Sequence, residues 1–286
     1  MIIQDKGVGL KKKKNEPEFI PPKIDIHILL GGKRALDPKN APWRPKLLED
    51  LNGSNVLDHV IQAAKGITAA KVRNITGIIS SRYEEVLRRA LKPHNVRIAV
   101  QEQHRGTADA IWQAIQQGEY PETGEVDHVL ILMGDQPLVT SKDLDQFIRS
   151  FSMACPQTAG IISFRGNRRD PILQKCGVVI RRKGKFIDLQ PRIPIPSNTK
   201  TEELHAGPYI FNAGWLRGLL SILGKYQDKF PAHVPEFHLY DALLAAVEYW
   251  GVHIYRSRYR TAYYGVDNFM GLEITQSILK RRRHQP

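Results

Sequence analysis

VRIAVQEQHRGTADAIWQAIQQGEYPETGEVDHVLILMGDQPLV, residues 96–139, reads as a strand, a helix and a second strand in succession. VRIAV is a short β-branched and aliphatic run, TADAIWQAIQQG is amphipathic at helical spacing, and DHVLILMG is again a continuous apolar run. Pro137, which has no N–H to donate, stops the second strand from simply continuing its ladder. A strand, a crossover helix and a strand predict parallel pairing, with the helix laid over one face of the sheet.

The same alternation extends upstream. IDIHILL (24–30) and NITGIIS (74–80) read as strands, and VLDHVIQAAKG (56–66) and RYEEVLRRALK (82–92) as helices. This repeated unit predicts an α/β protein with a mainly parallel sheet covered by helices. Beyond Phe151 the rhythm changes: TAGIISF (158–164), a hairpin in CGVVIRRKGKFIDLQ (176–190) turning at Lys183-Gly184, and LHAGPYIFN (204–212) as one further strand have antiparallel character. AGWLRGLLSIL (213–223) and LYDALLAAVEYWG (239–251) read as helices, VHIYRS (252–257) as a last strand, and a terminal helix starts near Asn268. No internal repeat is present. Residues 1–23, with a lysine run and Pro21-Pro22, read as a flexible basic lead-in, and residues 24–286 as a single domain.

At 286 residues and 42% hydrophobic content, the chain can bury a full core. No apolar run approaches the roughly 18 residues that span a bilayer. The first residues place their lysines after a short apolar start, which is the pattern of neither a signal peptide nor an anchor, so a cytoplasmic protein is expected. Cys155 and Cys176 lack metal-ligand spacing and read as structural cysteines of a reduced protein. Part of the net charge of +13 lies in Lys11–Lys14 and in Lys280–Arg283. Such runs are usually solvated tails, although nucleic acid or an acidic surface would also suit them. The central basic surplus suits an anionic small molecule equally well.

In an open α/β sheet, chemistry gathers at the carboxyl ends of strands. Three such ends carry unusual residues. In GGKRALDPKNAPWRPKLL (31–48), Gly31 and Gly32 would let backbone N–H groups approach phosphate oxygens, with Lys33, Arg34 and Lys46 supplying positive charge; a plain loop is the alternative. In LILMGDQPLV (130–139), Asp135 is either a turn former or a carboxylate fixed on rigid scaffold and open to Mg²⁺. In YYGVDNFMG (263–271), Asp267 follows a short apolar strand and is either a helix N-cap or a second ligand.

Taken in order, these motifs resemble the sugar-1-phosphate nucleotidylyltransferases, most of all the uridylyltransferase (pyrophosphorylase) domain of bacterial N-acetylglucosamine-1-phosphate uridylyltransferase. The resemblance runs from about Ile24 to the end of the chain. It implies a Rossmann-like, GT-A-like nucleotidyltransferase fold with an antiparallel sugar-binding portion. Pro45-Lys46 matches the family's Pro-Lys, GGKRAL is a shortened form of its glycine-rich loop with Arg34 at the family arginine, and GDQPL matches its Gly-Asp-x-Pro-Leu. QEQHRGTADA resembles the motif that reads the uracil ring, which implies roles for Gln101, Gly106 and Thr107. A glutamine amide can both donate to and accept from a pyrimidine edge, and Gly106 would bring backbone close to the ring; capping by Thr107 is compatible with this. Asp267 stands where the family carries the asparagine that completes its Mg²⁺ site with the first aspartate, here Asp135. On the sugar side, Gly177 matches the glycine that approaches the acceptor, Gln190 falls near the family's sugar-binding glutamate, and His205 replaces its asparagine. A lone strand histidine is also simply a packing residue. No hexapeptide repeats follow the last helix.

The resemblance implies a reaction between UTP and a sugar 1-phosphate, giving a UDP-sugar and pyrophosphate with Mg²⁺ as cofactor. Asp135 and Asp267 would hold the metal, and Arg34 and Lys46 would act on the triphosphate as catalytic groups. Two other classes stay open. A GT-A-like glycosyltransferase usually carries Asp-x-Asp, which MGDQPL lacks, and a nucleotide-sugar-binding or regulatory protein would tolerate the shortened glycine loop. The same loop also resembles that of molybdopterin-type guanylyltransferases, which keeps a purine nucleotide in view.

Overall fold

The computed structural model describes residues 19–31, 45–154, 158–190, 201–205, 207–229, 236–258 and 260–283. Gly32, Lys33, Arg34, Cys155 and the lysine run of the lead-in lie outside the described residues. The parallel core is built from β1 (Lys23–Leu30), α1 (Val56–Lys65), β2 (Lys71–Ser80), α2 (Glu84–Leu91), β3 (Arg97–Gln101), α3 (Thr107–Gln116), β4 (His128–Met133) and α4 (Ser141–Met153). Next come β5 (Ala159–Gly166), β6 (Gly177–Arg182), β7 (Lys185–Gln190), β8 (Glu202–His205) and β9 (Tyr209–Asn212). The chain ends with α5 (Ala213–Lys229), α6 (Leu239–Val247), β10 (Val252–Arg256) and α7 (Phe269–Arg283).

The strands run in the order β3-β2-β1-β4-β9-β5-β8-β6-β7, with β10 also on β5. β3, β2, β1 and β4 are mutually parallel, and β10 is parallel to β5. β9 runs antiparallel between β4 and β5. β5 changes partners along its length, from β9 at Ala159–Ile161 to β8 at Phe164–Gly166, and so joins the core to the antiparallel β8-β6-β7 portion. This is the mixed sheet with a mostly parallel core that the alternation predicts.

Alternation in β1 explains its two faces. Ile24, Ile26, Ile28 and Leu30 pack into the apolar layer shared with α1, α2, α4 and α7, while Leu29 packs into the opposite layer with α3, α5 and α6. Asp25 and His27 share the Leu29 face by periodicity, and His27 stacks on Tyr120 at 5.2 Å between ring centres. The hairpin turns where expected, with Lys183 and Gly184 both at positive φ (49° and 80°), the pairing that suits a tight two-residue turn.

The helix α4, which the sequence reading leaves unassigned, lies between GDQPLV and TAGIISF; it is started by a capping box in which Thr140 and Asp143 satisfy each other's backbone N–H groups. Two sequence expectations change. LHAGPYIFN is two strands, because Pro208 cannot donate to a ladder and the chain passes there from β6 and β5 to β5 and β4. YYGV is not a strand. A 3-10 turn at Arg260–Tyr263 leads into an irregular segment before α7. Among the described residues, no helix is long and apolar enough to cross a membrane.

His27 and His205 are buried, at 0% and 3% exposure, and burial holds both imidazoles down at about 4. Both pKa values lie below the ordinary unfolded value of about 6.5, so the fold takes up fewer protons than the unfolded chain between those values. Their stabilising contribution is therefore complete above pH 6.5 and is lost as the pH falls toward 4, by on the order of 3 kcal/mol per histidine. Urea unfolding is expected to show stability dropping between pH 7 and pH 5, and His27→Phe should flatten that profile; an unchanged slope in the variant contradicts the assignment.

Candidate active site

Parallel strands β1, β3 and β4 end on the same side of the sheet, and the segments leaving them line a cleft of about 230 Å³. Gly31 follows β1, Gln101 ends β3 and Asp135 lies two residues past β4. Lys46 enters from a 3-10 turn begun by Pro45. Leu29, Leu47, Ala110 and Met133 give the cleft an apolar wall.

The polar centre is a three-residue cluster. Lys46 Nζ donates to Asp135 Oδ2 at 2.6 Å and to Asp267 Oδ1 at 2.8 Å, across 89 and 221 residues of sequence respectively. Lys175 Nζ lies 3.4 Å from Asp267 Oδ2. The segment carrying Asp267 is attached to β4's extension by backbone, with Val266 N–H donating to Asp135 O at 2.8 Å. Asp267 is not the cap of α7. That role falls to Asn268, whose Oδ1 accepts from Gly271 N–H at 2.9 Å, so the Asp267 carboxylate stays with the two lysines. Burial opposes the Lys46 charge, but Asp135 and Asp267 more than offset it and hold the ammonium above its ordinary pKa. Burial likewise opposes the charge on Asp267, and Lys46 with Lys175 reverses that to keep its pKa low. Nearby Cys176 is the opposite case: burial, with Asp170 and Asp267 adding to it, pushes its thiol up to about 12, which leaves no thiolate nucleophile at neutral pH.

The donor set suits Mg²⁺ only in part. Two carboxylates are hard oxygen donors, and Mg²⁺ commonly takes one or two of them while drawing its remaining ligands from phosphates and water. Among the described residues, no group of three or more His, Cys, Asp or Glu side chains is placed to hold a metal, so an all-protein cage is not formed. Asp135 and Asp267 therefore fit a Mg²⁺ shared with a phosphate substrate.

Gln101, only 4% exposed, is held from inside: its Nε2 donates to Gly106 O at 3.1 Å and to Asp109 Oδ2 at 2.8 Å. Both amide hydrogens are thus used within the protein, and the side chain offers the cleft its carbonyl oxygen only. Gly106 has φ +110°, and a Cβ there would fall 2.0 Å from Phe237 O. The glycine is required first by the strap at residues 236–238, which is bonded on both sides by Phe237 N–H to Arg105 O (2.7 Å) and Ala108 N–H to Phe237 O (3.1 Å). Thr107 opens α3, but its hydroxyl accepts from Leu239 N–H at 2.9 Å and so caps α6 instead of its own helix. Gly106→Val is accordingly expected to lower Tm by several degrees through displacement of the strap, since backbone overlap of this size has no rotamer escape; an unchanged Tm contradicts this packing.

Gly177, Gln190 and His205 do not line the cleft. Gly177 pairs with His205 across β6 and β8, two residues beyond Lys175. His205 Nδ1–H donates to Ile162 O at 2.8 Å and its ring meets Tyr209 edge-on, so it is packed in the core. Gln190 ends β7 in an exposed position, with its amide on Asp188 at 3.0 Å. His104 (bonded to Ser80 at 2.9 Å), Glu236 and His238 line the cleft, and Lys175 adds to the cluster. His104 lies within the QEQHRGTADA stretch, and Glu236 and His238 within EFHLYD, but nothing in either pattern marks these side chains as facing the cleft; Lys175 has no local signal.

The chain is 27% identical over 184 residues to the bifunctional protein GlmU of Desulfitobacterium hafniense strain Y51, a match covering 62% of this chain and 36% of that protein. It is 27% identical over 266 residues to GlmU of Syntrophomonas wolfei, covering 92% of this chain and 54% of the relative. The chain thus spans at most about half the length of these curated relatives. Among the solved structures that share the fold are two examples. One is CMP:2-keto-3-deoxy-manno-octonic acid synthetase complexed with CTP (TM-score 0.58, 16% identity, 91% of this chain and 98% of that one). The other is a Bacillus anthracis protein solved with sucrose as a candidate glucose-1-phosphate thymidylyltransferase (TM-score 0.65, 14% identity, 89% and 94%). The family model of the MobA-like NTP transferase domain matches residues 38–229, and the chain belongs to that nucleotidyltransferase family.

Proposed function

We propose that this protein joins a sugar 1-phosphate to UTP, releasing pyrophosphate and forming a UDP-sugar, with Mg²⁺ as the cofactor. The observation that carries the reading is the convergence of Asp135 and Asp267 on Lys46 in the cleft that Gln101 also lines. A carboxylate pair can share a cation with phosphates, a buried ammonium can offset phosphate charge, and an amide oxygen can accept from a base, which together suit nucleotidyl transfer.

The sugar phosphate needs no strong general base, because a phosphate monoester with a second pKa near about 6 is mostly dianionic at neutral pH. One of its oxygens attacks the α-phosphorus of UTP in line, and the bond to the pyrophosphate breaks. Protein groups then act by positioning and charge neutralisation. Asp135 and Asp267 hold the cation, which on binding supplies Lewis-acid stabilisation of phosphoryl oxygens. Lys46 would turn its charge to the triphosphate once a cation holds the carboxylates, and Gly31 would offer backbone to the phosphates; Gly32 and Arg34, which the resemblance assigns to the same role, lie outside the described residues. Gln101 reads the base, with Gly106 and Thr107 forming the turn behind it. On the sugar side, Gly177 is assigned to the acceptor, because it opens β6 two residues beyond Lys175, which pairs with Asp267; His205, packed in the core, and Gln190, exposed at the end of β7, are given no sugar contact.

Pyrophosphate release from UTP with Mg²⁺ and a panel of sugar 1-phosphates tests the proposal. Turnover with at least one sugar, dependent on Mg²⁺, is expected. Nucleotide binding without pyrophosphate release would favour a binding protein instead, and sugar transfer from a supplied UDP-sugar would favour a glycosyltransferase.

A further inference from the structure

Asp109 is an acid in the first turn of α3 that points inward and is completely buried. Its two oxygens are divided between two partners: Oδ2 accepts from Gln101 Nε2 at 2.8 Å, and Oδ1 accepts from Arg105 at 3.0 Å. The other hydrogen of the Gln101 amide goes to Gly106 O at 3.1 Å. An amide whose nitrogen faces a carboxylate and a carbonyl cannot turn over without setting oxygen against oxygen, so its orientation is fixed by chemistry. Oε1 is left on the Gly31 side, where a Cβ on Gly31 would come within 2.9 Å of it. Among the described residues that oxygen accepts no hydrogen bond.

We infer that Asp109 is a positioning residue that sets base selectivity by locking Gln101 with its acceptor toward the cleft. The inference rests on the nucleotidyltransferase reading of that cleft. A uracil ring has one donor on its pairing edge, N3–H, and the locked Oε1 accepts it. In the same pose cytosine presents the lone pair of N3, and acceptor would face acceptor at the cost of an unpaired buried group. Arg105, two residues before α3, acts differently, because it occupies the second carboxylate oxygen and so keeps Asp109 ion-paired.

The roles separate by substitution. In Asp109→Asn, the side-chain oxygen is drawn to the Arg105 guanidinium, and the amide nitrogen then faces Gln101 and competes with its orientation. Arg105→Met removes the ion pair but keeps the bond between Asp109 and Gln101. The experiment is calorimetric titration of the full chain with UTP, CTP and 3-methyl-UTP in the presence of Mg²⁺. Wild type is expected to bind UTP about tenfold or more tightly than either CTP or 3-methyl-UTP. Asp109→Asn should bring the three within about threefold, chiefly by weakening UTP, whereas Arg105→Met should retain the preference. A purely structural role for Asp109 would weaken all three ligands together. An unchanged UTP to CTP ratio in a folded Asp109→Asn, or CTP binding to wild type as tightly as UTP, overturns the inference while leaving nucleotide binding intact. If Asp109→Asn does not fold, full affinity of wild type for 3-methyl-UTP overturns it equally. Failure of wild type to bind any nucleoside triphosphate removes the reading of the cleft itself.

Discussion

Asp135→Ala is expected to lower sugar-nucleotide formation by at least about 100-fold while leaving the fold intact. Loss of a ligand that places a cation on reacting phosphate oxygens costs several kcal/mol of transition-state stabilisation. The side chain is about a quarter exposed, and its hydrogen bond in the structure is to Lys46, so its removal opens no core cavity. The backbone carbonyl of Asp135, which receives Val266 N–H, survives the substitution and keeps the Asp267 segment attached. Circular dichroism should therefore match wild type, and activity within a few-fold of wild type contradicts the metal assignment.

Lys46→Met is expected to have nearly as large an effect on turnover, about 100-fold, and an additional effect that is independent of turnover. Lys46 is buried and joins two carboxylates that belong to separate segments. Without it Asp135 and Asp267 face one another with reduced compensation, which lowers stability; partial exposure of both acids screens the repulsion and keeps that loss modest. A divalent cation then replaces the missing positive charge. Millimolar Mn²⁺, with no nucleotide present, should raise the Tm of Lys46→Met by several degrees more than that of wild type, in which the ammonium already occupies the pair. Equal shifts in the two proteins contradict the arrangement.

Much of the fold is legible in sequence because it rests on local periodicity. The alternation of Ile24, Ile26, Ile28 and Leu30 fixes which face of β1 meets α1 and α4, and the positive-φ pair at Lys183-Gly184 marks the hairpin. The Thr140-x-x-Asp143 signal of α4 is equally local and open to pattern reasoning. What local pattern does not carry is partnership across distance. Asp267 looks like a strand end and a cap, but Asn268 takes the cap and Lys46, 221 residues away, takes Asp267. Thr107 looks like the cap of its own helix, but its hydroxyl goes to Leu239, 132 residues on. Gly106 suggests a close approach to a ligand, whereas the nearest constraint is the Phe237 carbonyl.

The candidate site follows the same division. Residue type and position at strand ends mark Gly31, Gln101 and Asp135, which line one cleft as the β-α order requires. Asp109 escapes notice because an acid in the first turn of a helix is ordinarily a solvated favourable charge at the N-terminus. Its inward direction and its hold on Gln101 depend on where β3 ends relative to α3.

The most direct measurement is ³¹P NMR of wild-type protein incubated with UTP, Mg²⁺ and a panel of sugar 1-phosphates. For at least one sugar, the triphosphate and sugar-phosphate resonances are expected to decay together while a UDP-sugar diphosphate pair and free pyrophosphate grow in equal amounts, and Asp135→Ala is expected to abolish this. Production of UDP and inorganic phosphate with the sugar 1-phosphate unconsumed would contradict it.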